Sequence, residues 1–128
     1  MAITQAVCTS FKQELLVEGH NFTNGADTFK IALYTSSASL DASTTAFTTS
    51  NEVSDSGSYS SGGGSLTSVT PTTSGTTAIC DFADISFTSA TITARGAMIY
   101  NSSNSNKAVC ILDFGGDKTS TSGTFTIQ

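Results

Sequence analysis

Apolar residues fall at Ile3, Val7, Phe11 and Leu15, one every four positions, with Leu16 beside them and Lys12, Gln13 and Glu14 off the stripe. This spacing predicts an amphipathic helix of about four turns within residues 1–19. Gly19 is placed to end it in the left-handed conformation, and Asn21, Asn24 and Gly25 form the following turn. The period then changes to two. In "TFKIALYT", Phe29, Ile31 and Leu33 alternate with Lys30, Ala32 and Tyr34, which predicts a strand with one buried face.

From Ser36 to Ser65 the chain is polar, and Leu40, Phe47, Val53 and Tyr59 are isolated apolar positions. A long ordered loop held by those anchors is expected, with "SDSGSYSSGGG" as its mobile part. Strand patterns follow at Ser65 to Thr70, Thr76 to Phe82, Ile85 to Tyr100 with a break, Lys107 to Phe114, and Thr121 to Ile127. Pro71 with Ser74 and Gly75, "NSSNSN" and "GGDKTSTSG" separate them as turns. The expected core is Phe29, Ile31, Leu33, Ile79, Phe82, Ile85, Phe87, Ile99, Ile111 and Phe125. The fold class is mainly β: a β-sandwich or jelly-roll-like domain over residues 28–128, carrying the short N-terminal helix and the long loop 36–65.

Composition supports this reading. Ser and Thr supply 43 of the 128 residues, and charged residues only 12%, against a usual ~25%. Threonine and the eight Phe suit pleated surfaces. A chain of this length buries roughly 65–70% of its unfolded surface, enough for one core. The net charge is −5, and the four Lys and one Arg are scattered. No basic footprint for nucleic acid or an anionic membrane results. The opening "MAITQAVCTSFKQELL" lacks the basic and apolar regions of a secretory signal, and no run reaches a membrane span. Cytosolic synthesis is expected. Cys8, Cys80 and Cys110 are odd in number and far apart, so neither a disulfide framework nor a zinc site is expected. Cys80 and Cys110, inside apolar strand patterns, read as buried reduced thiols.

Candidate chemistry is thin. His20, the only histidine, follows a helix end and reads as a hinge residue bonding terminal carbonyls, since no nucleophile motif accompanies it. Asp81, Asp84, Asp113 and Asp117 lack the spacing of a calcium loop and read as strand-end carboxylates bonding turn amides. "DFG" at Asp113 to Gly115 has no companion kinase motif, and "SSGGGS" lacks the phosphate-loop lysine. Two sequons, at Asn21 and Asn101, read as turns. No catalytic residue, cofactor or metal ligand is assigned.

The segments "FKQELLVEGHNF", "DTFKIALYTSSASLDASTTAF", "NEVSDSGSYSSGGGSL" and "ARGAMIYN" resemble a group of small virion proteins of tailed phages, marine and cyanobacterial ones especially. The likeness covers nearly the whole length. It departs from the group at Gly57-Ser58-Tyr59, where a serine precedes the tyrosine. The resemblance implies a virion structural protein, best matched by size to a capsid decoration, or cement, protein made in the host cytoplasm and seated on the capsid surface. It also implies contacts with the major capsid protein and with copies of itself as a homotrimer, without nucleic acid or membrane. On that reading the interface residues are Phe11, Leu15, Leu16, Leu40, Phe47 and Tyr59. A neck, tail or fibre component is the alternative. A lysis enzyme is disfavoured by scarce Glu and His, and a sugar-binding module by the absence of Trp.

Overall fold

The computed structural model describes residues 2–128, so Met1, the first residue of the expected helical segment, lies outside them. The fold is mainly β and antiparallel, with 53% strand and 6% helix, consistent with a sandwich. In chain order the elements are β1 (Ala6–Val7), α1 (Thr9–Leu15), β2 (Phe29–Tyr34), β3 (Gly64–Ser65), β4 (Ser68–Ser74), β5 (Thr77–Phe82), β6 (Ile85–Asn101) and β7 (Lys107–Ile127). Five strands form one sheet in the order β1-β7-β6-β2-β3, and β4 pairs only with β5.

The long β6–β7 hairpin is the frame. Near its tip it lies flat beside β2, with Leu33 opposite Ala97 and Ile31 opposite Ile99. Bulges between Ala94 and Gly96 and between Phe87 and Ala90 break the register, and bulges bend and twist the strands that carry them. The start of β6 therefore curls back over β2 and β3. A Cβ placed on Gly64 would lie 2.6 Å from Ile85 and 3.1 Å from Phe87, so those side chains rest on β3. The expected break in β6 is such a bend. The turn expected at "GGDKTSTSG" is absent, because β7 runs through it and absorbs the glycines as irregularities: Gly115 sits at φ +78° beside the Ala94/Gly96 shift.

This curl covers one face of β2 and the N-terminal segment and loop cover the other, so both faces are buried where the alternation predicted one. Ala32 and Tyr34 pack with Ile3, Cys8, Phe11, Leu40, Met98 and Ile111. Ile31 and Leu33 pack with Val53, Tyr59, Phe87, Ile92 and Phe125. Small and aromatic residues on the "polar" side of a strand suit burial once loop and helix cover that side. Six of the ten expected core residues are buried, namely Phe29, Ile31, Leu33, Phe87, Ile111 and Phe125. Phe82, Ile85 and Ile99 are partly buried against the two clusters. Ile79 is not core: it is 42% exposed on β5.

The N-terminal helix is shorter than its period predicted. Residues before Cys8 are extended: Ile3 bridges Leu40 in parallel, and Ala6 and Val7 pair with Ile111 and Cys110. Their backbone groups bond to neighbouring strands, and β-branched Ile3, Thr4 and Val7 fit that conformation. Phe11 is the buried residue of α1, while Leu15 is 45% exposed. Glu18, not Gly19, takes the left-handed conformation, at φ 58°. Gly19 is required for room instead, because a Cβ there would stand 2.9 Å from the Glu14 carbonyl oxygen.

Replacing Leu33, fully buried against both Tyr59 and the β6 curl, by Ala is expected to lower stability by ~2–5 kcal/mol. Ile79→Ala serves as the contrast and should change it by less than about 0.5 kcal/mol. Denaturant melts of the two variants check the assignment of faces.

Candidate functional site

The composition of the loop between β2 and β3 predicts partial mobility, but the loop is strapped to the sheet. Tyr59 is 1% exposed, its ring lies 5.0 Å edge-on from Phe87, and its hydroxyl sits on the open edge of β2. There it accepts the Leu33 amide at 2.9 Å and donates to Glu52 Oε2 at 2.7 Å. The same carboxylate accepts the Gly62 amide at 2.7 Å and the Ser61 hydroxyl at 2.9 Å. An ionised acceptor with several donors makes strong hydrogen bonds. The inserted serine also has a place: the Ser58 amide donates to the Thr88 carbonyl, and its Oγ accepts the Thr88 amide at 2.7 Å. Gly63, at φ 79°, is obligatory, since a Cβ would stand 1.7 Å from the Ile31 carbonyl oxygen.

A second polar network surrounds His20, which is 8% exposed. Asn101 Nδ2 donates to His20 Nδ1 at 3.0 Å and to Asp27 Oδ2 at 2.8 Å, and Asn101 Oδ1 accepts the Ser103 amide. The accepting Nδ1 assigns the imidazole proton to Nε2, which donates to Glu14 Oε1 at 2.8 Å. Phe11 lies 4.8 Å from the ring. His20 thus ties α1, the turn after it and the end of β6 together through its side chain. The expectation that it bonds helix-end carbonyls is corrected, because Asn104 Nδ2 bonds the Gly19 carbonyl instead.

The six residues singled out as an interface separate into two groups. Phe11, Leu40 and Tyr59 are buried in the protein's own clusters at 8%, 2% and 1% exposure, and Phe47 is half-buried and stacked on Tyr100 at 4.7 Å. These four are corrected to anchors of the fold. Leu15 and Leu16 face solvent at 45% and 86%, joined by Val17 at 68% and Val7 at 47%. Leu15 is the last residue of α1, and Leu16 and Val17 lie beyond its end and turn away from the sheet. The helical period carries no sign of that stop, and for the same reason it passes over Val17, next to Leu16. The β4–β5 hairpin is the other exposed feature: Val69, Ile79 and Cys80 lie open on it.

Other candidates resolve simply. Asp81 Oδ1 accepts the Phe82 amide and Asp113 Oδ1 the Gly115 amide, while Asp117 lies 3.9 Å from Arg95. Among the described residues, no three His, Cys, Asp or Glu side chains gather into a metal-binding set. None of the helices there is long and apolar enough to cross a membrane. All three cysteines are free. Cys8 is buried, Cys110 half-buried with its thiol pushed up to about 11 by desolvation, and Cys80 exposed, which corrects the expectation that Cys80 is a core thiol. It projects on the exposed part of a hairpin that packs on the body at its base, where Phe82 lies against Phe22 and Phe29. No family model, curated protein or solved structure matches this chain.

Tyr59→Phe keeps the ring but removes the acceptor of the Leu33 amide and a donor to Glu52. A loss of about 1–3 kcal/mol is expected from the unpaired buried amide, read by chemical denaturation. Alkali tests the same tyrosines differently. Burial raises Tyr34 and Tyr59 well above the ordinary value of 10.0, and raises Tyr100 to about 12. Above pH ~10 the unfolded chain therefore releases phenolic protons that the folded chain keeps, so stability is fully present below that pH and falls as pH rises further. Thermal melts between about pH 8 and 12 should show the decline beginning near 10.

Proposed function

We propose that the protein is a structural component of a phage particle, a decoration protein that binds the outer surface of the head shell and strengthens it. The observation that carries the proposal is the solvent-facing apolar tip formed by Leu15, Leu16 and Val17. It stands on a protein whose surface is otherwise rich in hydroxyls and poor in charge. A contiguous apolar patch with a polar surround fits a protein–protein contact. The tip is held rigid from behind: Glu14, one residue before it, is fixed by His20 at 2.8 Å and approached by Lys107 at 3.8 Å. Rigid presentation reduces the ordering cost of binding. Hydroxyls and backbone amides around it supply directional contacts without desolvating charges.

The partners on this reading are the major capsid protein and further copies of the chain, the latter as the homotrimer that the resemblance implies. Attachment at subunit boundaries would let one small domain clamp two shell proteins.

The test uses shells assembled without the protein. Wild-type protein should rebind at hundreds of copies per particle, and Leu16→Asp should reduce binding at least about tenfold, on the scale of a disrupted hot spot. Its melting temperature should stay unchanged, since Leu16 is exposed. A handful of copies at one vertex would assign the protein to the neck or tail. Equal binding of wild type and Leu16→Asp would remove the tip from the interface.

A further inference from the structure

Among the longer strands with an open edge, β5 is the least guarded. The outer edge of β2 is covered by β3, by the Tyr34–Glu52 bridge and by the Tyr59 hydroxyl. The outer edge of β7 beyond β1 is distorted by several register shifts and carries Asp117 and Lys118, devices that discourage strand addition. β4 has Pro71 and an irregularity between Val69 and Thr72, and Asn24 bonds both Thr70 Oγ1 and the Ser68 carbonyl along it. The outer edge of β5 has no proline or bulge, and its one charge, Asp81, sits at the far end, where it accepts the Phe82 amide. Its "TAIC" run is β-prone, uncharged and exposed at every position.

The register shows which groups this edge offers. Gly75 and Thr76 form a two-residue turn, with Gly75 at φ 61°, closed by the pair Ser74–Thr77. The closing pair of such a hairpin exchanges both of its hydrogen bonds, and bonded and non-bonded pairs then alternate. Thr77 and Ile79 thus turn their amides and carbonyls inward to Ser74 and Thr72. Ala78 and Cys80 turn theirs outward.

We propose that β5 is a strand-addition site whose occupant is β5 of a second copy, antiparallel about a twofold axis at Ile79. In that register Ala78 of each copy lies opposite Cys80 of the other, so the outward amides and carbonyls of these two residues bond reciprocally. The two Ile79 side chains meet in a non-bonded pair, the closer kind of cross-strand neighbour. Asp81 of one copy faces Thr77 of the other, so the like charges stay apart. The other registers on this edge match less well: centring on Cys80 sets each Ile79 against an Asp81 and needs the Phe82 amide, which already donates to Asp81 Oδ1, and centring on Asp81 opposes two carboxylates. A second copy is the occupant because the edge satisfies itself in this way, and because a lone two-stranded hairpin is marginal in water while a four-stranded one is not.

The size of the contact sets its strength. The hairpin contributes strands of 7 and 6 residues, below the roughly 20–30 residues a side of a standard interface. The pairing is therefore weak and fades on dilution, and it gains strength where copies are held side by side. It is independent of the virion reading and of any threefold contact, which would use other surfaces.

Cysteine mapping tests it on the full-length chain. In a Cys80→Ser background, Ile79→Cys places two thiols in a non-bonded antiparallel pair with Cα atoms about 4.5 Å apart, within disulfide range. Mild oxidation of concentrated protein should give a covalent dimer about tenfold or more faster than with Thr77→Cys, whose thiols lie far apart in this register. Adding Ala78→Pro, which removes an outward amide and no inward bond, should abolish the difference, and circular dichroism confirms that this variant is folded. Sedimentation of the wild type should show reversible, concentration-dependent association that Ala78→Pro removes. Equal rates for Ile79→Cys and Thr77→Cys would overturn the register. A wild type that does not associate at millimolar concentration, or an Ile79→Cys variant that cross-links only to a different protein, would overturn self-pairing.

Discussion

Everything in this fold answers to one strand that has to be buried on three sides. β2 carries Ile31, Ala32, Leu33 and Tyr34 in an unbroken apolar run, so neither face tolerates water, and its edge away from β6 holds amides that need acceptors. The β6–β7 hairpin covers one face by bending back. The N-terminal segment and Leu40 cover the other. The open edge is completed by a two-residue strand, one backbone bridge and a tyrosine hydroxyl in the place of a carbonyl. The Glu52 carboxylate then fixes the phenol and the glycine turn together, so the loop that looks least structured in composition supplies the most specific polar contacts.

Much of this is visible in the residues. The switch from period four to period two locates the start of the β domain, and the isolated positions Leu40, Val53 and Tyr59 are what holds the long loop, as their spacing indicates. What the pattern lacks is information about coverage. Alternation in "FKIALY" distinguishes faces only if one of them meets solvent, and Ala32 and Tyr34 are compatible with either outcome. Ile79 and Cys80 have the same apolar character as Ile111 and Cys110, yet they stand on the exposed part of a hairpin that packs on the body only at its base. Whether a second layer exists above a given strand is a non-local fact. The helix shows the same limit: Ile3 and Phe11 are buried as the stripe requires, but competition from strand edges decides the backbone of Ile3.

The candidate site is legible to a lesser degree. Leu15 and Leu16 follow from the stripe, whereas Phe11, Leu40, Phe47 and Tyr59 share its chemistry and serve the interior. An apolar side chain suits a core and an interface equally, because both remove it from water. Only which elements come to cover each of them separates the two groups. His20 shows the converse case, in which a rare residue type proves to be a structural junction with both ring nitrogens engaged.

The pairing of β1 with β7 has a consequence for how the chain is made. Residues 6–7 find their partners at 110–111, Leu33 packs against a layer completed by Phe125, and the frame itself is residues 85–127. Domains with such distant partners fold late, since each closure spans most of the chain. During synthesis, β2 emerges with both apolar faces open and lacks its main partner until residues 96–101 follow. The Ser- and Thr-rich stretch between them adds few further apolar side chains to that exposed surface. Its polarity thus limits the apolar surface of the growing chain as well as shaping the finished one.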